Sequence, residues 1–246
     1  KDDIYYIIFN SENRKDLEFL FNYNFDFTNI LISSNTLVRG YRALLKAVEG
    51  SKLNSVLDIG CGDGIQGRIF SNYGKKVTGI NLGYDELYNG KYLKSYGDII
   101  IGDYLELDIK EKFDIIWLCH ILEHIRDVEK FLIKLKKNIN KGGTLAIIVP
   151  PNETDITVNH VHSFNTGRLL RYLVITGYDC RNISCFDYGY NKCLIINNIK
   201  FHNNNKNYIT TEKEIKKAFK YLPEEITVNK LSDGNLIFNG NINKIN

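Results

Sequence analysis

The chain has 246 residues, 43% of them hydrophobic and 25% charged, with a formal net charge of +3. These fractions match ordinary globular chains and exclude wholesale disorder, a collagen-like repeat and a disulfide miniprotein. The balance is too mildly basic for a nucleic-acid stripe, so the lysines clustered between Lys130 and Lys141 and between Lys213 and Lys220 read as solvated helix faces.

The first 50 residues hold two predicted helices, Glu12–Phe21 and Thr36–Val48. Lys1–Asn10, with Asp2 and Asp3, is no signal-peptide pattern. From Asn54 to Val149 short apolar runs alternate with helical periodicity, which predicts β-α-β units and a parallel sheet. The predicted strands are Ser55–Ile59, Lys76–Ile80, Asp98–Ile101, Phe113–Leu118 and Gly143–Val149. Between them lie predicted helices Ile65–Tyr73, Tyr84–Ser95 and Ile121–Ile139, the last carrying an apolar stripe from Ile121 to Leu135 and stopping at Lys141-Gly142-Gly143. A helix over Thr166–Thr176 follows, then strands Tyr178–Phe186 and Lys192–Ile199 around a turn at Asp187–Asn191, an antiparallel hairpin at one edge of the sheet. A lysine-rich helix, Thr211–Leu222, and a hairpin of Glu225–Asn229 with Leu236–Asn239 complete the chain. No stretch approaches the ~18 apolar residues of a membrane span. The five cysteines, an odd number with no C-x-x-C pair, fit a reducing compartment, so a soluble cytoplasmic protein is expected.

The most informative segment is Val56-Leu57-Asp58-Ile59-Gly60-Cys61-Gly62-Asp63-Gly64. A buried strand ends in a G-x-G-x-G turn and a helix starts at once. Glycines there let backbone approach a ligand closely, and the helix N-terminus offers unpaired N–H donors. Asp58 places an acid at the carboxyl edge of the sheet, where open α/β folds bind ligands. Gly62, Gly64 and Gly67 also spell G-x-G-x-x-G, but the register is poor for a nicotinamide site. The first of these glycines lies three residues past Ile59, and Asn81, not an acid, closes the second strand.

The nine residues from Val56 to Gly64 resemble the first motif of the class I S-adenosylmethionine-dependent methyltransferases. The resemblance implies an α/β, doubly wound, mostly parallel seven-stranded Rossmann-like sheet with an antiparallel edge hairpin. It divides the chain into a helical extension (residues 1–50, a lid or a homodimer contact), a cofactor-binding core (51–200) and a small C-terminal addition (201–246). It implies S-adenosyl-L-methionine as cofactor, held by Asp58, Gly60, Cys61, Gly62, Asn81, Leu82, Asp103, Tyr104, Leu105, Cys119 and His120. In that scheme the second strand ends on an acid for the ribose hydroxyls; here Asn81 can still accept a hydrogen bond through its amide carbonyl, without the charge. Gly102-Asp103-Tyr104-Leu105 is similar to the family's segment in which an acid reads the adenine amine and the next residue flanks the ring. Phe113–Leu118 running into Leu122-Glu123-His124-Ile125 matches a further family segment, with Cys119 and His120 facing the methionine end.

His160-Val161-His162-Ser163-Phe164 resembles a loop of small-molecule and glycan O-methyltransferases. A histidine is a natural general base near neutral pH, so His160, His162 and His120 are the candidate catalytic residues. His124, Arg168 and Arg171 are candidates for binding substrate, the arginines through a phosphate or carboxylate, although loop histidines and exposed helix arginines are equally ordinary readings. His120 and His124 stand four apart, yet no further ligand lies at suitable spacing, so no metal is expected. The Pro-Pro and Pro-Cys segments of nucleic-acid methyltransferases are missing after strand four. The resemblance of the His160–Phe164 loop to that of surface-polysaccharide methyltransferases implies a small polar molecule as partner: a sugar, nucleotide-linked or phosphoramidate intermediate of a bacterial capsule or surface polysaccharide. No nucleic acid and no membrane is expected as partner. Methylation of nitrogen and a non-catalytic binding protein on the same fold remain open alternatives.

Overall fold

The computed structural model describes residues 39–48, 54–83, 97–152, 157–202, 212–226, 228–230, 236–238 and 242–245. Its centre is a seven-stranded sheet of β1 (Ser55–Ile59), β2 (Lys76–Asn81), β3 (Gly97–Ile101), β4 (Phe113–Cys119), β5 (Ile139–Val149), β6 (Ser184–Tyr188) and β7 (Asn191–Ile196). The order is β3-β2-β1-β4-β5-β7-β6. All neighbours from β3 to β5 pair in parallel, while β7 runs antiparallel to both β5 and β6. The expected mostly parallel sheet with an edge hairpin is therefore the observed one.

Strands covered on both faces must be apolar on both, and β1 and β4 are. Val56, Ile115 and Trp117 pack on one face against α1 (Tyr41–Val48) and α2 (Ile65–Asn72), through Leu44, Ile69 and Phe70. Leu57, Ile59, Ile116 and Leu118 face the other way, onto α3 (Val128–Asn138) and α4 (Thr166–Ile175), through Phe131, Leu135, Leu169 and Leu173. The strand order reverses between β1 and β4, the point at which such sheets open a crevice at the carboxyl ends of their strands.

Three expectations need correction. The helix drawn over Ile121–Ile139 is two pieces: a single 3-10 turn, Leu122–His124, and α3. Ile125 is extended between them, and Asp127 caps α3 by accepting from the Lys130 N–H at 2.9 Å. Lys141-Gly142-Gly143 does not end a helix but lies inside β5, within a register shift against β4. Gly143 is needed because a Cβ would sit 2.6 Å from the Asp114 carbonyl. The strand drawn over Tyr178–Phe186 is a single bridge, Tyr178 to Phe201, followed by a turn and then β6.

The helix expected over Thr36–Val48 starts at Tyr41 among the described residues, after a turn at Arg39-Gly40. Gly40 has φ +76°, and a Cβ there would lie 2.9 Å from the Trp117 ring and 3.1 Å from the Cys119 sulfur. The chain entering α1 thus lies against the carboxyl end of β4. The helices expected at Glu12–Phe21 and Tyr84–Ser95 lie outside the described residues. Further helix and hairpin elements, α5 (Glu212–Phe219), β8 (Val228–Lys230) and β9 (Leu236–Phe238), follow as expected in kind. No described helix is long and apolar enough to cross a membrane.

Candidate active site

The β1–α2 turn is shaped by three glycines in left-handed conformations: Gly60, Gly62 and Gly64, at φ +77°, +55° and +88°. Gly60 is doubly constrained, because a Cβ would lie 2.3 Å from Ile121 Cδ1. The turn is anchored on β2: the N–H groups of Gly60 and Cys61 both donate to the Ile80 carbonyl, at 2.9 and 3.0 Å. Asp58, at the base of the turn, is 2% exposed, and its Oδ2 finds no hydrogen-bond partner among the described residues. Burial, aided by the charge of Asp63, raises its carboxyl pKa to about 7. Burial also pushes the thiols of Cys61 and Cys119 far above the usual range, so neither is a thiolate nucleophile.

Asn81 closes β2. Its Nδ2 donates to the Gly62 carbonyl at 3.0 Å and its Oδ1 accepts the Gly83 N–H at 3.2 Å. The side chain is thus a strut beneath the glycine turn. Leu82 and Ile101, 47% and 56% exposed, stand next to it at the ends of β2 and β3, a pair of apolar surfaces suited to the face of a planar ring. Asp103 is exposed and accepts the Leu105 N–H at 2.8 Å, which fixes its carboxylate at the mouth of the β3 turn. Tyr104 departs from the expectation. Its ring is buried against Phe131, and its hydroxyl donates to Asn138 Oδ1 at 2.7 Å, so it belongs to the core and is unavailable to flank a ligand. Leu105 is half-buried against the same core.

Across the crevice β4 ends on Cys119 and His120. His120 holds φ +54°, an unfavourable conformation for a residue with a Cβ. Its Nε2 lies 3.2 Å from Asn191 Oδ1 on β7. Asn191 Nδ2 donates to the Tyr188 carbonyl, so its Oδ1 must face the ring, and the inferred proton sits on His120 Nε2. His120 Nδ1 is then bare and lies 3.5 Å from Glu123 Oε1. Burial and the charge of Arg39 lower the pKa of His120 to about 4, keeping it neutral. Glu123 is 1% exposed, its carboxyl raised by burial to about 7, and neither oxygen has a hydrogen-bond partner among the described residues.

The loop after β5 closes over this cluster. Val161 and His162 N–H groups both donate to the Glu123 carbonyl, at 2.9 and 3.1 Å. His160 meets His124 edge to face at 4.9 Å between ring centres, and burial lowers its pKa, with His124 adding to the effect. His120, His124 and His160 therefore converge with Glu123. His162 does not join them: its Nε2 bonds the Arg126 carbonyl at 3.2 Å. Arg168, exposed on α4, donates from Nη1 to the Ser163 carbonyl at 3.1 Å and so steadies the same loop, while Arg171 is half-buried on α4.

Sequence reasoning missed three residues. Glu123 falls in a predicted helix, Asn191 in a predicted turn and Arg39 in the predicted helix Thr36–Val48, and none is marked there as a site residue. The signal for Glu123 was present, an acid one residue from a histidine in an otherwise apolar segment. Asn191 and Arg39 arrive from remote strands and turns, and nothing local marks them.

Residues 57–147 match the model of a family described as a methyltransferase domain. The chain is 28% identical over 150 residues to a malonyl-[acyl-carrier protein] O-methyltransferase of Calditerrivibrio nitroreducens, spanning 61% of this chain and 58% of that one. It is 33% identical over 102 residues to a ubiquinone biosynthesis O-methyltransferase of Glaesserella parasuis, spanning 37% and 43%. The chain thus spans about half the length of these curated relatives. Among solved structures, a Burkholderia thailandensis 1,6-didemethyltoxoflavin-N1-methyltransferase with bound 1,6-didemethyltoxoflavin and S-adenosylhomocysteine superposes with a TM-score of 0.56 at 17% identity, covering 77% of this chain and 87% of that one. A magnesium protoporphyrin IX methyltransferase of Synechocystis with bound S-adenosylhomocysteine gives 0.51 at 14% identity, covering 63% and 80%. Both likenesses establish the fold.

Proposed function

We propose that this chain, whose residues 57–147 form a methyltransferase domain on a class I fold, transfers the methyl group of S-adenosylmethionine to an oxygen of a small polar molecule. The observation that carries the reading is the buried Asp58 carboxyl, whose Oδ2 has no partner among the described residues, at the base of three left-handed glycines at the carboxyl end of β1, beside the β4 end that leads into the histidine cluster. The residues present fit the cofactor. The glycine turn admits close approach, Asp58 supplies an acid for a cationic group, and Leu82 and Ile101 offer apolar faces to a ring with Asp103 at its edge. Bound there, S-adenosylmethionine supplies a methyl carbon on a positively charged sulfur, open to in-line displacement.

The chain's own residues then have three tasks. Asn81 and Ile80 hold the glycine turn in place. The loop at residues 157–164, fastened to Glu123, shields the crevice from water and orients the acceptor, the effect from which alignment-based catalysis draws most. Neutral imidazoles at the β4 edge can take the proton of an acceptor hydroxyl; His160 and His120 stand there, and His162 is withdrawn from the role. Support for oxygen as acceptor comes from the relatives, which are named as O-methyltransferases. Within that class a sugar or nucleotide-linked acceptor of surface-polysaccharide assembly is the finer reading, resting on the similarity of the His160–Phe164 loop to glycan enzymes.

Calorimetry tests the reading. Micromolar binding of S-adenosylmethionine and S-adenosylhomocysteine, with none for NADH, supports it, and release of S-adenosylhomocysteine on addition of a nucleotide sugar establishes turnover. Failure to bind either sulfur compound overturns it.

A further inference from the structure

We propose that Glu123, His124 and His160 form a binding site for one divalent transition-metal ion of the zinc or manganese class, beside the methyl-transfer crevice. The ligand atoms of these three side chains lie within 4.8 Å of one another. They come from two separate segments, the 3-10 turn after β4 and the loop after β5, so the spacing along the chain gives no hint of them.

The arrangement of protons points to a cation. His124 Nδ1 lies 3.0 Å from the Asn159 carbonyl, an acceptor only, so the inferred proton sits on Nδ1 and Nε2 is bare. That bare Nε2 is 4.0 Å from Glu123 Oε1. The bare Nδ1 of His120 lies 3.5 Å from the same oxygen. A carboxyl, nine-tenths and more buried, thus faces two imidazole lone pairs, with its own backbone N–H and the more distant Arg39 charge as its only favourable influences and no hydrogen-bond partner for either oxygen among the described residues. A proton on Glu123 serves one lone pair only, whereas a positive ion satisfies the carboxylate and the His124 lone pair together. A backbone carbonyl holding the far nitrogen of a histidine is also how proteins fix imidazole ligands for a metal.

Two imidazoles and one carboxylate select zinc, manganese, iron or cobalt over magnesium and calcium, which favour all-oxygen sets. With bonds of about 2.1 Å, tetrahedral ligands sit roughly 3.4 Å apart. Closing to that takes a rotation of His160, which sits half-exposed on its loop, and a smaller shift of Glu123 against His124, whose ligand atoms now stand 4.0 Å apart. Three protein ligands leave a position open. Resting on the methyl-transfer reading, we assign that position to the acceptor: an oxygen bound to the ion is both fixed in place and acidified. With the ion bound, His160 is a ligand and no longer the base, the acidified acceptor losing its proton to solvent, and His120, held by Asn191 beside Glu123, is a positioning residue for the carboxylate.

The test uses the chain stripped of metal by a chelator and titrated with Zn²⁺, Mn²⁺ and Mg²⁺ alone, by calorimetry and, for Mn²⁺, by electron paramagnetic resonance. The expected result is one equivalent of Zn²⁺ or Mn²⁺ bound at micromolar or tighter affinity, with Mg²⁺ at least a hundredfold weaker. His160→Ala and Glu123→Gln should each weaken binding at least tenfold, while His202→Gln, at a ring stacked on Tyr221, leaves it unchanged. Because Glu123 is buried, the exposed-loop variant His160→Ala decides the matter if Glu123→Gln does not fold. No stoichiometric binding to the wild type, or binding that survives His160→Ala, overturns the site. S-adenosylhomocysteine binding measured on the same samples separates this failure from failure of the methyltransferase reading, since neither measurement depends on the other.

Discussion

Asn81 Nδ2 donates to the Gly62 carbonyl at 3.0 Å, tying the end of β2 to the glycine turn through a bond no carboxylate could make. The substitution that brings the chain nearer the family pattern is therefore expected to harm it. Asn81→Asp would set a carboxylate oxygen against a carbonyl and lose the donor, at a cost of about 1–3 kcal/mol. We expect a lower melting temperature and S-adenosylhomocysteine affinity reduced about tenfold, read by calorimetry. Tighter binding by Asn81→Asp would instead mean that the charge matters more than the strut.

Asp58 gives a pH signature. Its folded pKa of about 7 exceeds the ordinary 3.8, so between these values the folded chain holds a proton that the unfolded chain has lost. Stability is then greatest below the ordinary value and falls as pH rises toward 7, by up to about 4 kcal/mol from this group. Asp58→Asn should flatten that slope in denaturation curves taken across the range. The cationic cofactor favours the ionised form, so its affinity should rise over the same interval in the wild type and not in the variant.

Gly60→Ala is expected to be severe. The left-handed φ costs roughly 1–2 kcal/mol for an L-residue, and the added methyl group collides with Ile121. We expect loss of S-adenosylhomocysteine binding and a clear fall in melting temperature. Gly60→Ala with Ile121→Ala should recover part of the stability, because the collision is relieved and the backbone strain is not.

Asp114 clamps the opposite end of the sheet. One oxygen accepts from the N–H groups of Asn54 and Ser55 and from the Ser55 hydroxyl, at 2.8, 3.1 and 3.0 Å, and the other accepts from Asn140 at 2.7 Å. Burial opposes its charge, but these bonds outweigh it and hold the carboxyl below its usual range. Its contribution is present above the ordinary carboxylate value and is lost as pH falls through the folded one. Asp114→Ala should destabilise by about 2–4 kcal/mol in urea melts and leave cofactor affinity of the folded protein near that of the wild type.

What the sequence made legible is what neighbouring residues decide. Val56–Gly64 reads correctly because a strand, its glycine turn and the next helix are contiguous. The break between Leu122–His124 and α3 was readable too, since Asp127 is a cap residue three places before Lys130, but the apolar stripe running through Ile125 concealed it. Tyr104 was misplaced because its segment reads like a binding turn, while its buried partner, Asn138, lies 34 residues away. The histidine cluster was half legible: each member was noticed, yet the meeting of His160 with Glu123 depends on a loop whose anchor is a backbone carbonyl. Backbone acceptors leave no trace in side-chain patterns.

That anchor carries one more consequence. The peptide hydrogens of Val161 and His162 both end on a single oxygen, that of Glu123. Detachment of the loop therefore frees both hydrogens together, and they should show a common protection factor against solvent deuterium. Anything that fastens the loop, whether acceptor or ion, should slow the pair in step, making these two amides a built-in gauge of how often the crevice opens.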